Sequence, residues 1–112
     1  MVALLTLFWL HVLADFFLQS RWMAVNKSKD NWPLTVHAAV YSSVFMGVFG
    51  WKYALINGAL HWLTDWASSR GTTLYYGRGR MHEFFAVIGV DQGIHLTCLA
   101  VTAQKFGIIH LV

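Results

Sequence analysis

The chain has 112 residues, 57% of them hydrophobic and only 12% charged, with a mean hydropathy of +0.51. That length is one domain, residues 1–112, and that composition is too apolar for an ordinary soluble domain and points to an integral membrane protein, with a soluble helical bundle as the structural alternative. The formal net charge of +3 does not call for nucleic acid, because the basic residues sit between apolar runs, and the single Cys98 excludes an internal disulfide.

Four apolar runs follow one another, each near the ~20 residues that cross a ~30 Å hydrocarbon core. The first, residues 2–19, has no basic leader and no small-residue cleavage site, so it reads as a retained span and not as a signal peptide. Along it His11, Asp15 and Gln19 recur every four residues. The segment QSRWMAVNKSKDNW, residues 19–32, is polar and basic, and Asp30 or Asn31 ahead of Pro33 starts the second helix. That helix, 33–51, carries His37 and Tyr41. A tight turn around Gly50, Trp51 and Lys52 leads to the third, 53–69, where Leu60, His61, Leu63 and Asp65 repeat Leu10, His11, Leu13 and Asp15. The longest connection, SRGTTLYYGRGRMH at 69–82, holds three glycines and three arginines. Glu83 opens the fourth helix, 83–103, where its charge suits the N-terminal dipole. Asp91 and His95 lie on it, with Gly89 and Gly93 forming a GxxxG that permits close approach of a helix from the same chain or from a homo-oligomer partner.

No run alternates polar and apolar residues as a strand would. The expected fold is therefore all-α: a four-transmembrane-helix bundle running up-down-up-down. Arg21, Lys27, Lys29, Arg70, Arg78 and Arg80 fall on one side of it and Lys52 and Lys105 on the other. The positive-inside rule then puts the first and third connections in the cytoplasm and both termini outside, with membrane lipids as partners.

Ionisable groups inside spans are costly and mark function. Here there are seven: His11, Asp15, His37, His61, Asp65, Asp91 and His95. Residues i and i+4 share a helix face, so each His/Asp pair turns into the bundle together. In the up-down arrangement all of them fall at one depth, within roughly 12 Å of the cytoplasmic helix ends at ~1.5 Å per residue. Neutral imidazoles and carboxylates are the ligand set of Zn foremost, and also of Mn or Fe, and the number of donors suits one ion or two sharing carboxylates. Each aspartate is equally a candidate to orient a ligating histidine or to act as a base. Tyr41 is a candidate acid or orienting donor. Gln19, Arg78 and Arg80 are candidate substrate contacts, the arginines for an anionic head group. Cys98, three residues after His95, is a further soft donor or a small core residue.

The ordered set HxxxDFxLQ (His11, Asp15, Phe16, Leu18, Gln19), His37, HxxxD (His61, Asp65) and DQxxH (Asp91, Gln92, His95) resembles an uncharacterised family of small polytopic membrane proteins of bacteria and their phages. The resemblance covers nearly the whole chain. It implies a four-helix membrane protein and brings no activity with it. A looser likeness links the His and Asp motifs to membrane-bound metal-dependent hydrolases. The function expected from the residues is a metal-dependent hydrolase of a lipid or lipid-linked substrate. An ion or proton transporter, or a non-enzymatic envelope protein acting through a membrane partner, are the alternatives.

Overall fold

A computed structural model describes residues 2–109, which are helical apart from short connections, with no strand among them. Helix α1, Val2–Val12, passes directly into a π-helical turn over Leu13–Phe17. The wider turn is closed by the Leu18 N–H donating to the Leu13 carbonyl at 2.9 Å, five residues back. A short helix α2, Arg21–Asn26, begins at Ser20, whose side chain accepts from the Met23 N–H. Asp30 caps α3, Asn31–Phe49, by accepting from the Trp32 N–H at 3.1 Å. Pro33 sits in the first turn of α3, where its missing N–H has no intrahelical partner to lose.

Gly50, at φ 93°, is the whole junction between α3 and α4, Trp51–Gly77. The left-handed backbone there is open to glycine at little steric cost. Helix α5, Met81–Lys105, follows after only Arg78, Gly79 and Arg80.

The long connection expected at 69–82 is therefore helical through Gly77. Local and tertiary contacts override its glycine-rich, polar composition. The Arg70 guanidinium lies 4.4 Å from the Trp66 ring centroid, and the Thr72 hydroxyl donates to the Ser69 carbonyl. Thr73 donates to Ser28 of the α2–α3 connection. Helix α5 passes beside Gly71, where a Cβ would make ordinary van der Waals contact with Val87 at 3.5 Å. The consequence is positional. Asp65 lies twelve residues before the end of α4, roughly 18 Å at ~1.5 Å per residue. The polar residues of α4 and α5 are thus at mid-helix, and their closeness to the ends holds only for α1 and α3.

Helix α4 packs between α3 and α5, and α1 with its π turn lies against α3 and α5. The tightest approach is at Gly58, where a Cβ would stand 2.9 Å from the Ser42 Cβ. Ser42 uses that proximity to donate to the Ala54 carbonyl at 2.7 Å. Gly89 and Gly93 have nothing within 4 Å of a built Cβ, so within the described residues the GxxxG seats no helix of its own chain.

Apolar packing concentrates toward the Gly50 end, where Phe45, Tyr53, Leu99 and Ala103 are buried. Toward the other end the interior turns polar. Four histidines and three aspartates are buried, while Trp9, Phe17, Leu63 and Phe85 are each more than 60% exposed. Helices α3 and α5 are long and apolar enough to cross a membrane, and the apolar segment Val2–Phe17 is shorter.

Candidate metal centre

Asp15 from the π turn, His37 from α3, and His61 and Asp65 from α4 bring one donor atom each to a common point, all within 4.8 Å of one another. The Nε2 atoms of His37 and His61 are 2.9 Å apart. Asp15 Oδ1 is 3.0 Å from His37 Nε2 and 3.5 Å from His61 Nε2. Asp65 Oδ2 is 3.3 Å from His37 Nε2 and 3.5 Å from His61 Nε2. A tetrahedron with metal–donor bonds of ~2.0–2.1 Å has edges of ~3.3 Å, so these five separations bracket the edge of a tetrahedral zinc site.

The donor set fits an ion better than it fits hydrogen bonding alone. If both Nε2 atoms carry protons for the two carboxylates, those protons face each other across a 2.9 Å contact, and if only one does, one carboxylate has no imidazole donor. A cation satisfies all four donors together.

A second group, Asp15, Asp91 and His95, adjoins the first and shares Asp15. His95 Nε2 is 3.1 Å from Asp91 Oδ1, which the ring N–H does not face, and 3.6 Å from Asp65 Oδ1, beyond hydrogen-bond reach, so it is buried with no hydrogen bond. Ligand atoms that converge on a point between them have this appearance. Asp15 turns Oδ1 to the first group, while Oδ2 accepts from the Gln92 amide at 3.3 Å. Asp65 likewise turns Oδ2 to the first group and Oδ1 toward His95.

His11 stands beside these groups. The Gln92 amide nitrogen donates to Asp15 and Asp91, which leaves its oxygen facing His11 Nε2 at 2.6 Å. That nitrogen must donate, so Nδ1 accepts from the Tyr41 hydroxyl at 3.0 Å. Both ring nitrogens are taken, and His11 holds Gln92 in place. Tyr41 also lies flat on His61, with centroids 3.9 Å apart and planes at 16°. It fixes two imidazoles and does not line the adjoining cavity.

That cavity, about 710 Å³, opens beside the groups and is lined by Asp15, Asp65 and Asp91 together with Gln19, Lys27 and Ser69. Of the expected substrate contacts Gln19 is there. Arg78 and Arg80 are not among its lining residues, and Arg80 pairs with Glu83 at 2.6 Å. Cys98 is half-buried and belongs to neither donor group.

Three participants escape a reading of intramembrane charge. Lys27 Nζ donates to Asp65 Oδ2 at 2.9 Å from a connecting segment where a lysine looks like ordinary surface charge. Ser68 donates to Asp91 Oδ1 at 2.5 Å. Gln92 joins His11, Asp15 and Asp91, and its place within DQxxH was the available signal.

Fold and site together define an all-α protein with buried His/Asp groups positioned to hold a metal ion. The chain belongs to the family described as "Protein of unknown function (DUF3307)", which matches residues 3–111. No curated protein and no solved structure matches it.

Proposed function

We propose that this protein is an integral membrane metal-dependent hydrolase of a lipid or lipid-linked substrate, built as an up-down-up-down bundle of four spans in a bacterial inner membrane with both termini outside the cytoplasm. The inverted distribution of residues supports the membrane reading, since aromatic and aliphatic side chains face outward while histidines and aspartates are buried. One observation carries the metal reading: among four donor atoms from three separate helical segments, five of the six separations lie between 2.9 and 3.5 Å, around the edge of a tetrahedral site.

The two donor groups suit different tasks. Asp15, His37, His61 and Asp65 complete a four-donor set. Asp15, Asp91 and His95 supply three donors beside the cavity, the number that leaves a position open for water or substrate. A divalent ion there lowers the pKa of bound water toward ~7 and polarises a carbonyl or phosphoryl oxygen. The chain's residues do the rest. Asp15 spans both groups, and Gln92 fixes its outer oxygen. Asp91 borders the cavity with its oxygens held by Ser68 and Gln92, which fixes its orientation as a donor of the second group. His11 and Tyr41 lock Gln92 from behind, as outer partners of a metal site do.

Elemental analysis of detergent-purified protein, prepared without chelator and with zinc and manganese supplied, tests this reading. The wild type is expected to retain at least one ion per chain and His61→Ala to lose the ion of the four-donor group. A wild type holding less than about a tenth of an ion per chain would remove the metal from the proposal.

A further inference from the structure

The cavity beside the metal groups has a composition that their chemistry does not account for. Its charged lining is Asp15, Asp65 and Asp91 against Lys27 and Lys29, one net negative charge with the histidines neutral. A divalent ion reverses that to one net positive, and a second ion raises it further. A cavity that becomes cationic on loading has a place for an anion.

Lys27 sharpens the point. Its ammonium sits 2.9 Å from Asp65 Oδ2, the same oxygen that belongs to the four-donor group. An ion bound there neutralises the charge on the same oxygen, and a partly buried ammonium whose counter-charge is spent on an ion needs another. Nearby, Ser69 is only 5% exposed and lines the cavity, and its buried hydroxyl has no hydrogen-bond partner. Buried polar atoms are seldom left so, which makes Ser69 a donor in want of an acceptor. Phe16, Val25, Phe84 and Ile88 supply an apolar wall to the same space.

Resting on the metal reading above, we infer that this cavity is the subsite for the phosphate of an anionic amphiphile, with Lys27, Lys29 and Ser69 as its donors and the apolar wall receiving the adjoining chain. A phosphate accepts from several donors at once and suits two ammonium groups and a hydroxyl. The anion-binding role thus lies with Lys27 and Lys29 between α2 and α3 and with Ser69 on α4, beside Asp65, and leaves Arg78 and Arg80 free of it.

The test measures binding of dioctanoyl phosphatidic acid, dioctanoylglycerol and glycerol 3-phosphate to detergent-purified protein, with metal content determined on the same sample. Zinc-loaded protein is expected to bind the phosphatidic acid at least about tenfold more tightly than the uncharged diglyceride, one tenfold step being ~1.4 kcal/mol. Chelation is expected to weaken that binding by a similar factor. Lys27→Gln should do the same, and because it also unpairs Asp65, the double variant Lys29→Gln with Ser69→Ala provides a second reading that leaves the Lys27–Asp65 pair intact. Equal binding of phosphatidic acid and diglyceride by metal-loaded protein overturns the subsite and leaves the metal centre standing. Phosphatidic acid binding that ignores both chelation and the double variant overturns it as well. Glycerol 3-phosphate binding as tightly as phosphatidic acid supports the phosphate site and overturns the amphiphile, assigning it to a soluble phosphoester. A wild type that takes up no metal overturns both readings together.

Discussion

Residues 10–15 and 60–65 carry Leu, His, Leu and Asp at matching positions, yet they do different work. In the second stretch the backbone is α-helical, and His61 and Asp65 bring Nε2 and Oδ2 to within 3.5 Å and into the same donor group. In the first the helix widens to a π turn from Leu13, and the corresponding His11–Asp15 separation is 3.8 Å. Asp15 enters both donor groups, whereas His11 is held by Tyr41 and Gln92. One spacing therefore yields a ligand pair on a regular helix, and a ligand with its supporting partner on a widened one. Single π turns within α-helices are often found at functional sites, and this one separates two neighbouring polar residues into two roles.

The comparison is broken most severely at the aspartates. Asp15 serves both donor groups and Asp65 completes only the four-donor one. Asp15→Ala is expected to remove all bound metal, and Asp65→Ala to remove the ion held with His37 and His61 while the Asp15, Asp91 and His95 group still binds. Elemental analysis of the two variants beside the wild type separates these outcomes. Equal loss in both would show that the groups do not act as two.

The histidines give a smaller and sharper contrast. His61→Ala deletes a donor, whereas His11→Ala deletes a residue that orients Gln92 and, through it, Asp15 and Asp91. The expected result for His11→Ala is unchanged stoichiometry with about 10–100-fold weaker metal affinity, the usual range for an outer partner. A zinc competition titration measures it. Loss of a whole ion on His11→Ala would make His11 a ligand and remove the distinction between the two stretches.

Much of this was legible in the sequence, and what was not has identifiable causes. The four apolar runs, a start of α3 at Asp30 or Asn31, and the inward facing of His11, Asp15, His37, His61, Asp65, Asp91 and His95 follow from residue type and helical periodicity, which are local. The π turn has no compositional mark in LADFF, since it arises from how α1 meets its neighbours. The helical state of residues 70–77 depends on Trp66, Ser28 and Val87, two of them distant in the chain. Lys27 was the hardest to see. A lysine in a polar connection satisfies the positive-inside pattern, and only the packing of α2 against α3 reveals that its ammonium reaches a buried carboxylate. Histidines and aspartates announce themselves inside an apolar run because burial there needs a reason. Lysines at its edge do not.

The smallest expected effect belongs to Tyr41, which touches both stretches: its hydroxyl donates to His11 and its ring lies on His61. Tyr41→Phe keeps the ring and removes the donor, so His11 loses its Nδ1 partner while His61 stays covered. The expected cost is that of one neutral buried hydrogen bond, ~1 kcal/mol of stability, with metal stoichiometry unchanged. Tyr41→Ala also removes the packing against His61 and Phe45 and is expected to cost about 3–5 kcal/mol, as a large aromatic truncation in a core does. Unfolding of the two variants in detergent, with metal content followed in parallel, distinguishes the contributions. If Tyr41→Phe instead loses metal as His61→Ala does, the hydroxyl belongs to the centre itself, and His11 stands one bond nearer to the ion than its hydrogen bonds imply.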